Sequence, residues 1–313
     1  MSVPAAYLGV ILIWSTTPLG IQWSAQGASF SFAVMARMLI GLAICLLLLR
    51  ATRTAFPFTP DAKRLYAISG LSIFVAMLLT YWGALHIPSG LISVIFGLSP
   101  LVTGVFAALW LSERTLTPMR IAGVGLAMAG LWFIFGQPWP GDSRATLGTL
   151  AVLAGMTVQA LGLVWIKRLN VRASSLAITT GSLGVATPLF VLAWLIADAA
   201  QLPPDITPRA ATAIVYLGVF GSVVGFTLYY YVIKHLDAGR VALIMLVTPV
   251  TALLLGQTLN AEFIPARGWV GIALIGAGLL LYEWQALRQL RRPDHSGPIV
   301  HADAQSGRRP PQD

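Results

Sequence analysis

Charge is scarce in this chain. Of its 313 residues only 10% are Asp, Glu, Lys or Arg, while 57% are hydrophobic. A soluble globular chain carries about 25% charged residues, so a fold of this length standing in water would lack the polar groups to cover its surface. Low hydrophobicity is missing too, which excludes intrinsic disorder. The single cysteine, Cys45, excludes an intramolecular disulfide and any cysteine-built metal centre, and it reads as a small core or lipid-facing residue. Of the four histidines, His295 and His301 lie near the C-terminus, so no metal cluster is expected. No glycine-rich segment ends in Gly-Lys-Ser/Thr, which argues against an ATP motor, and Gly123-Val124-Gly125 lacks the strand–turn–helix setting of a dinucleotide site. No cofactor is expected. No Asp or Glu stands deep in an apolar run, Glu283 only approaching a helix end, so a carboxylate proton relay is not expected either.

What remains is long apolar segments. A membrane span needs about 20 mostly apolar residues. Ten can be read, at roughly 4–22, 32–49, 65–85, 88–111, 118–136, 146–166, 175–197, 210–233, 239–259 and 267–287. Barrel strands would alternate polar and apolar residues over about ten positions, so the expected class is all-α integral membrane. Residues 1–3 carry no positive charge before the first apolar stretch, which therefore does not read as a cleavable signal. Residues 288–313, with Pro293, Pro298, Pro310 and Pro311, are expected to form a disordered cytoplasmic tail.

The Lys and Arg residues orient the spans. With the N-terminus inside, the inner loops and tail hold sixteen of them, including Arg50, Lys63, Arg64, Lys167, Arg168 and Arg291. The outer loops hold three, Arg144, Arg209 and Arg267, and Arg37 lies within a span. Both termini are expected in the cytoplasm. The net charge of +9 falls in short clusters between apolar runs, so it reads as membrane topology and no nucleic-acid partner is expected.

The chain also resembles itself. Shifted by 149 residues, Leu79, Tyr81, His86, Gly90, Ile95, Pro100 and Glu113 meet Leu228, Tyr230, His235, Gly239, Ile244, Pro249 and Glu262. Dropping one residue then aligns Gly123, Ala129 and Gly130 with Gly271, Ala277 and Gly278. Each half would hold five helices. Five is odd, so the second half must enter the membrane upside down, which is a transporter architecture with a substrate site near the midplane.

The stretch 84–113, ALHIPSGLISVIFGLSPLVTGVFAALWLSE, followed by the glycine-rich helix around Gly123–Gly130, resembles the signature of the drug/metabolite transporter superfamily, EamA type. Residues 238–262 resemble its second copy. Trp14-Ser15 resembles the family's Trp-Gly opening with Ser in place of Gly, and Arg37 matches an arginine often found in the family's second helix. The resemblance covers about 1–287. It implies two inverted EamA-like five-helix repeats, 1–137 and 145–287, in an inner-membrane carrier that exports amino acids, related metabolites or drugs. Import of sugars or nucleotide sugars is the alternative within that class, and an integral-membrane enzyme acting on lipid is the alternative outside it. The enzyme would need clustered His, Asp or Glu at one membrane face, and none is evident. The expected partners are a small-molecule substrate and the lipid bilayer, with a homodimer left open.

Polar or small residues recur at helical spacing on four helices. They are Tyr7, Ile11, Trp14, Pro18 and Gln22; Gly90, Ser93, Gly97, Pro100 and Gly104; Gly148, Gly155, Gln159 and Gly162; and Gly218, Ser222, Gly225 and Tyr229. Glycines alone favour close helix packing in lipid. An amide or a deep aromatic hydroxyl points instead to a wet cavity. Trp14, Gln159, Tyr229, Ser93 and Ser222 are thus the expected substrate contacts. Arg37 is either an anchor for a substrate anion or a donor to backbone carbonyls freed near Pro18 or Pro100. Pro100 and Pro249 are the expected hinges, against fixed kinks, and Glu113 and Glu262 an expected structural or gating pair.

Overall fold

Hydroxyl side chains mark where several helices begin. Ser29, Thr59, Ser174 and Thr207 each accept a hydrogen bond from the backbone N–H three residues on, satisfying one of the donors a helix start leaves unpaired. The computed structural model describes residues 2–110, 117–135, 144–169, 171, 173–199, 201–236, 238–284 and 288. No strand occurs among them. In chain order the elements are α1 (Val3–Gly27), α2 (Phe30–Ala51), α3 (Pro60–Gly83), α4 (Ser89–Gly97), α5 (Ser99–Trp110), α6 (Pro118–Phe135), α7 (Ala145–Leu169), α8 (Ser175–Ala197), α9 (Pro208–Tyr216), a π-helical segment (Leu217–Val224), α10 (Gly225–His235), α11 (Ala238–Asn260) and α12 (Ala266–Tyr282). Seven stretches are long and apolar enough to cross a membrane, two of them composite: Ser89–Trp110 and Pro208–Tyr229. Three shorter apolar helices, Pro118–Phe133, Leu246–Asn260 and Ala266–Tyr282, accompany them.

The outside of the bundle is as greasy as its inside. Leu47 is 68% exposed, Trp132 68% and Ile196 75%. Such a surface is stable only where the surrounding solvent is hydrocarbon. Because lipid tails are as apolar as the core, helix association relies on close backbone approach. The α6·α12 pair shows this most clearly. A Cβ at Gly123 would stand 2.6 Å from the Gly278 carbonyl oxygen, one at Gly278 2.6 Å from the Gly123 oxygen, and one at Gly130 2.6 Å from the Gly271 oxygen. As one index rises the other falls, so the two helices run antiparallel. Gly123→Leu is expected to cost about 1–3 kcal/mol by overpacking and to lower the melting temperature in detergent. Gly125→Leu, on a different face of the same helix and with open space where its Cβ would point, is expected to leave it unchanged.

The glycines of α7 pack in the same way. A Cβ at Gly155 would meet the Ala76 oxygen at 2.8 Å, one at Gly148 the His86 Cβ at 2.8 Å, and one at Gly162 the side chain of Ser72. That stripe is the seam of the α3·α7 pair.

Two spans depart from unbroken α-helix. The fourth is split at Leu98, just before Pro100, into α4 and α5. Pro249, at the equivalent repeat position, lies inside the continuous α11. Proline alone therefore does not decide the break. The first copy also has Gly97 where the second has Leu246, and glycine weakens a helix by up to about 1 kcal/mol. The Pro208–Tyr229 stretch carries the π-helical turn at Leu217–Val224, which neither period nor composition announces. Glu113 and residues 289–313 lie outside the described residues.

Candidate functional site

Arg37 is the one buried charge among the described residues, 5% exposed on α2. Its Nε donates to the Ser222 Oγ at 3.2 Å and its Nη1 to the Tyr81 Oη at 3.4 Å, so the guanidinium joins α2, α3 and the π-helical segment. Its partners are hydroxyls, not the backbone carbonyls near Pro18 or Pro100. The ion pair among the described residues is the surface pair Arg64–Asp61, which leaves Arg37 without a carboxylate among them. A buried cation satisfied only by neutral oxygens is costly, and a guanidinium offers five donors in a planar fork suited to carboxylate or phosphate.

The π-helical turn shapes this contact. Ser222 Oγ donates to the Leu217 carbonyl oxygen, five residues back, at 3.0 Å while accepting from Arg37. Gly221 lies beside the guanidinium: a Cβ there would come into ordinary contact with Nη2 at 3.4 Å. π-Helical turns are rare and are frequently found at functional sites.

One turn further along the same helix, Gly225 adjoins the Trp14 indole; a Cβ there would lie 3.4 Å from its Nε1 and 3.0 Å from the Phe220 carbonyl oxygen. Trp14 stacks obliquely on Tyr229, ring centroids 4.6 Å apart at 44°. Ser222, Gly225 and Tyr229 therefore set a guanidinium and an aromatic pair along one helix, separated by roughly 10 Å at 1.5 Å per residue. Of the expected contacts, the structure brings Arg37 to Ser222 and Trp14 to Tyr229. Gln159 stands apart on α7, between the glycines of the α3 seam, with its Oε1 buried and unpartnered. Ser93 is buried on α4, which packs against α11, α1 and α7. Sequence reading does not single out Tyr81 as part of the site; its alignment with Tyr230 in the repeat is the available signal.

A second polar cluster closes one end of the bundle. Glu262, just past α11, reaches the N-terminus of α4. It accepts from the Ser89 backbone N–H through Oε1 at 3.0 Å and from the Gly90 N–H through Oε2 at 3.3 Å. A carboxylate is favoured there because it caps free amides at the positive end of the helix dipole. Asn260 Nδ2 donates to Glu262 Oε1 at 3.0 Å and to Gln22 Oε1 at 2.8 Å, and Gln22 Nε2 donates to the Ile87 oxygen at 3.1 Å. Trp23 Nε1 donates to Asn260 Oδ1 at 2.8 Å, and Arg209 lies over the Trp23 ring, 4.6 Å from its centroid. The turn that brings Glu262 back is strained: Ala261 has φ 50° while the Glu262 N–H bonds the Gly256 oxygen at 3.2 Å. This is the left-handed helix ending that glycine usually serves. Gly256 in turn leaves space for the Glu262 carboxylate, which a Cβ would strike. Asn260, Trp23 and Arg209 escape sequence reading because helix-end polar residues carry no periodic signal.

Comparison with known proteins follows the same outline. The model of the EamA-like transporter family matches residues 3–136 and 146–284. The chain is 30% identical over 230 residues to a probable terminal-alkyne amino-acid exporter of Streptantibioticus cattleyicolor, covering 73% of this chain and 75% of that protein. It is 24% identical to the uncharacterized inner membrane transporter YedA of Escherichia coli K12, over 63% of this chain and 62% of that one. It is 21% identical to the uncharacterized transporter YvbV of Bacillus subtilis, over 92% and 95%. A solved crystal structure with 22% identity shares the fold, with a TM-score of 0.63 over 93% of this chain and 99% of its own. This all-helical, multi-pass membrane protein belongs to the EamA-like transporter family.

Proposed function

We propose that the protein is a secondary active or facilitative carrier that exports small amino-acid-like metabolites or drugs by alternating access. In this reading it has ten spans in two inverted halves, 1–137 and 145–287. It sits in the inner (plasma) membrane with both termini cytoplasmic. The observation that carries the reading is the buried Arg37, without a carboxylate partner among the described residues and bonded to Ser222 on the helical stretch whose Tyr229 pairs with Trp14. A substrate carboxylate would supply the negative charge the guanidinium lacks, and an apolar side chain would lie on the aromatic pair.

Several features support the inverted halves. The three shorter apolar helices bring the seven long stretches to ten. The antiparallel α6·α12 contacts exchange onto themselves when Gly123 and Gly130 swap with Gly271 and Gly278. The neighbours exchange likewise: α1 packs on α10 and α11 as α7 packs on α3 and α4–α5, while α2 pairs with α8 and α4 with α11. The amino-acid reading leans on the name given to the Streptantibioticus relative. On this topology the Glu262 cluster closes the outer end, and Glu262 is a gating residue. The break before Pro100 lets α4 move with that gate while α5 stays; Pro249, in unbroken helix, would hinge only by bending.

Reporter fusions after Gly141 and Ala173 are expected to read outside and inside respectively; the opposite pattern would discard the topology. Efflux from proteoliposomes, followed with a panel of radiolabelled amino acids, sugars and nucleotide sugars without ATP, tests the substrate class. Transport of sugars alone would replace it with the importer reading, and chemical conversion without movement would indicate an enzyme.

A further inference from the structure

We propose that the groove between α3 and α7, at the end of the bundle where α3 begins and α7 ends, binds the headgroup of an anionic phospholipid between Arg64 and Arg168. The groove is a cavity of about 470 Å³ lined by Arg64, Ala67, Ile68, Trp165, Arg168 and Leu169. Two guanidiniums stand at its mouth and everything below them is apolar or aromatic. That is the profile of a phospholipid, charged at the top and hydrocarbon beneath, and not of a soluble anion site, which would be polar throughout.

The surroundings extend the match. Lys63 and Lys167 adjoin the two arginines in sequence, and among the described residues the ion pair here is Asp61 with Arg64 at 3.5 Å, in which both side chains remain largely exposed, Arg64 71% and Asp61 66%. An exposed pair of that kind contributes little and yields readily to a phosphate. Arg168 has no carboxylate partner among the described residues. Trp165, 48% exposed, meets Trp110 edge-on with centroids 6.2 Å apart. Paired tryptophans at this level mark the headgroup boundary of a bilayer. Two turns along α3 from Arg64, Leu71 is 54% exposed and continues the apolar wall on which an acyl chain would lie. Basic pockets between helices at the loop end of a bundle are suited to anionic headgroups. The lipid would bridge the mouth of the α3·α7 seam, where Gly155 and Gly162 bring the two helices into close contact.

The test uses the full chain purified in neutral detergent. Phosphatidylglycerol is expected to raise the melting temperature, and phosphatidylcholine of the same chains to raise it much less. The Arg64→Gln/Arg168→Gln variant is expected to need roughly 30-fold more phosphatidylglycerol for the same shift, about fivefold for each arginine. Inorganic phosphate is expected to give no shift. A second measurement does not depend on that variant folding: phosphatidylglycerol with brominated chains is expected to quench a fraction of the wild-type tryptophan fluorescence that is absent in Trp165→Phe. Equal shifts from both lipids, an unchanged response in the double variant, no Trp165-dependent quenching, or a shift from phosphate alone would each overturn the proposal.

Discussion

Arg37→Gln is expected to lower substrate affinity roughly 10- to 150-fold, the equivalent of about 1.5–3 kcal/mol for a charge-assisted hydrogen bond, while the protein still inserts and remains folded. The physical reason lies in what surrounds the guanidinium. It is 5% exposed and held by the Ser222 and Tyr81 hydroxyls, with no carboxylate among the described residues to offset its charge. If Arg37 anchors the substrate anion, removing the charge relieves a burial cost in the free protein and takes the anchor from the bound one. Stability should therefore hold or rise as binding falls. Arg37→Lys keeps the charge but not the planar fork, and an intermediate affinity is expected. Binding and melting temperature measured on the same samples separate the two roles. A large fall in melting temperature with unchanged affinity in the folded fraction would make Arg37 a structural tie between α2, α3 and the π-helical segment.

Glu262→Ala should open the capped end. It removes the acceptor of the Ser89 and Gly90 amides and of Asn260 at once. Each polar group left unsatisfied costs about 1–3 kcal/mol where water is excluded, and conformers of a carrier commonly differ by only a few kcal/mol. On the alternating-access reading proposed above, loss of this one side chain is therefore expected to reverse which state dominates. A cysteine at position 89, in a Cys45→Ala background, should label poorly with a membrane-impermeant thiol reagent when Glu262 is present. In the Glu262→Ala variant it should label at least tenfold faster, a ratio that corresponds to about 1.4 kcal/mol. Glu262→Gln keeps one acceptor without the charge and should fall between the two. Unchanged labelling in both variants, with transport intact, would reduce Glu262 to a local helix cap.

The broad architecture is legible without coordinates because few residues carry it. Scarce charge and long apolar runs demand a lipid solvent, and lipid in turn demands helices, since every backbone N–H and C=O must be satisfied within its own segment. The repeated Gly, Pro and Glu positions stand out because they punctuate helices, where side-chain identity matters most. Arg37 stands out for the same reason: a charge in an apolar run has no cheap explanation. Trp14, Tyr229 and Ser222 are legible as helical stripes, but a stripe names a face and not its neighbour.

Other features depend on contacts between segments far apart in sequence. The stripe of Gly148, Gly155 and Gly162 would suit a cavity wall equally well by spacing alone; it is a seam because α3 packs directly on it, with backbone oxygens at Gly148 and Gly155 and the Ser72 side chain at Gly162. Gln159 shares that helix but does not join Trp14 and Tyr229. Pro100 and Pro249 are equivalent in sequence, yet one sits at a break and the other in continuous helix, since helix continuity sums propensity over a window and Gly97 tips only the first copy. The π-helical turn, the hydroxyl pair on Arg37 and the capping of α4 by Glu262 across 172 residues of chain arise from packing. Composition and period settle which solvent a segment faces. Which polar atoms meet inside that solvent is a matter of distances that only the assembled bundle contains.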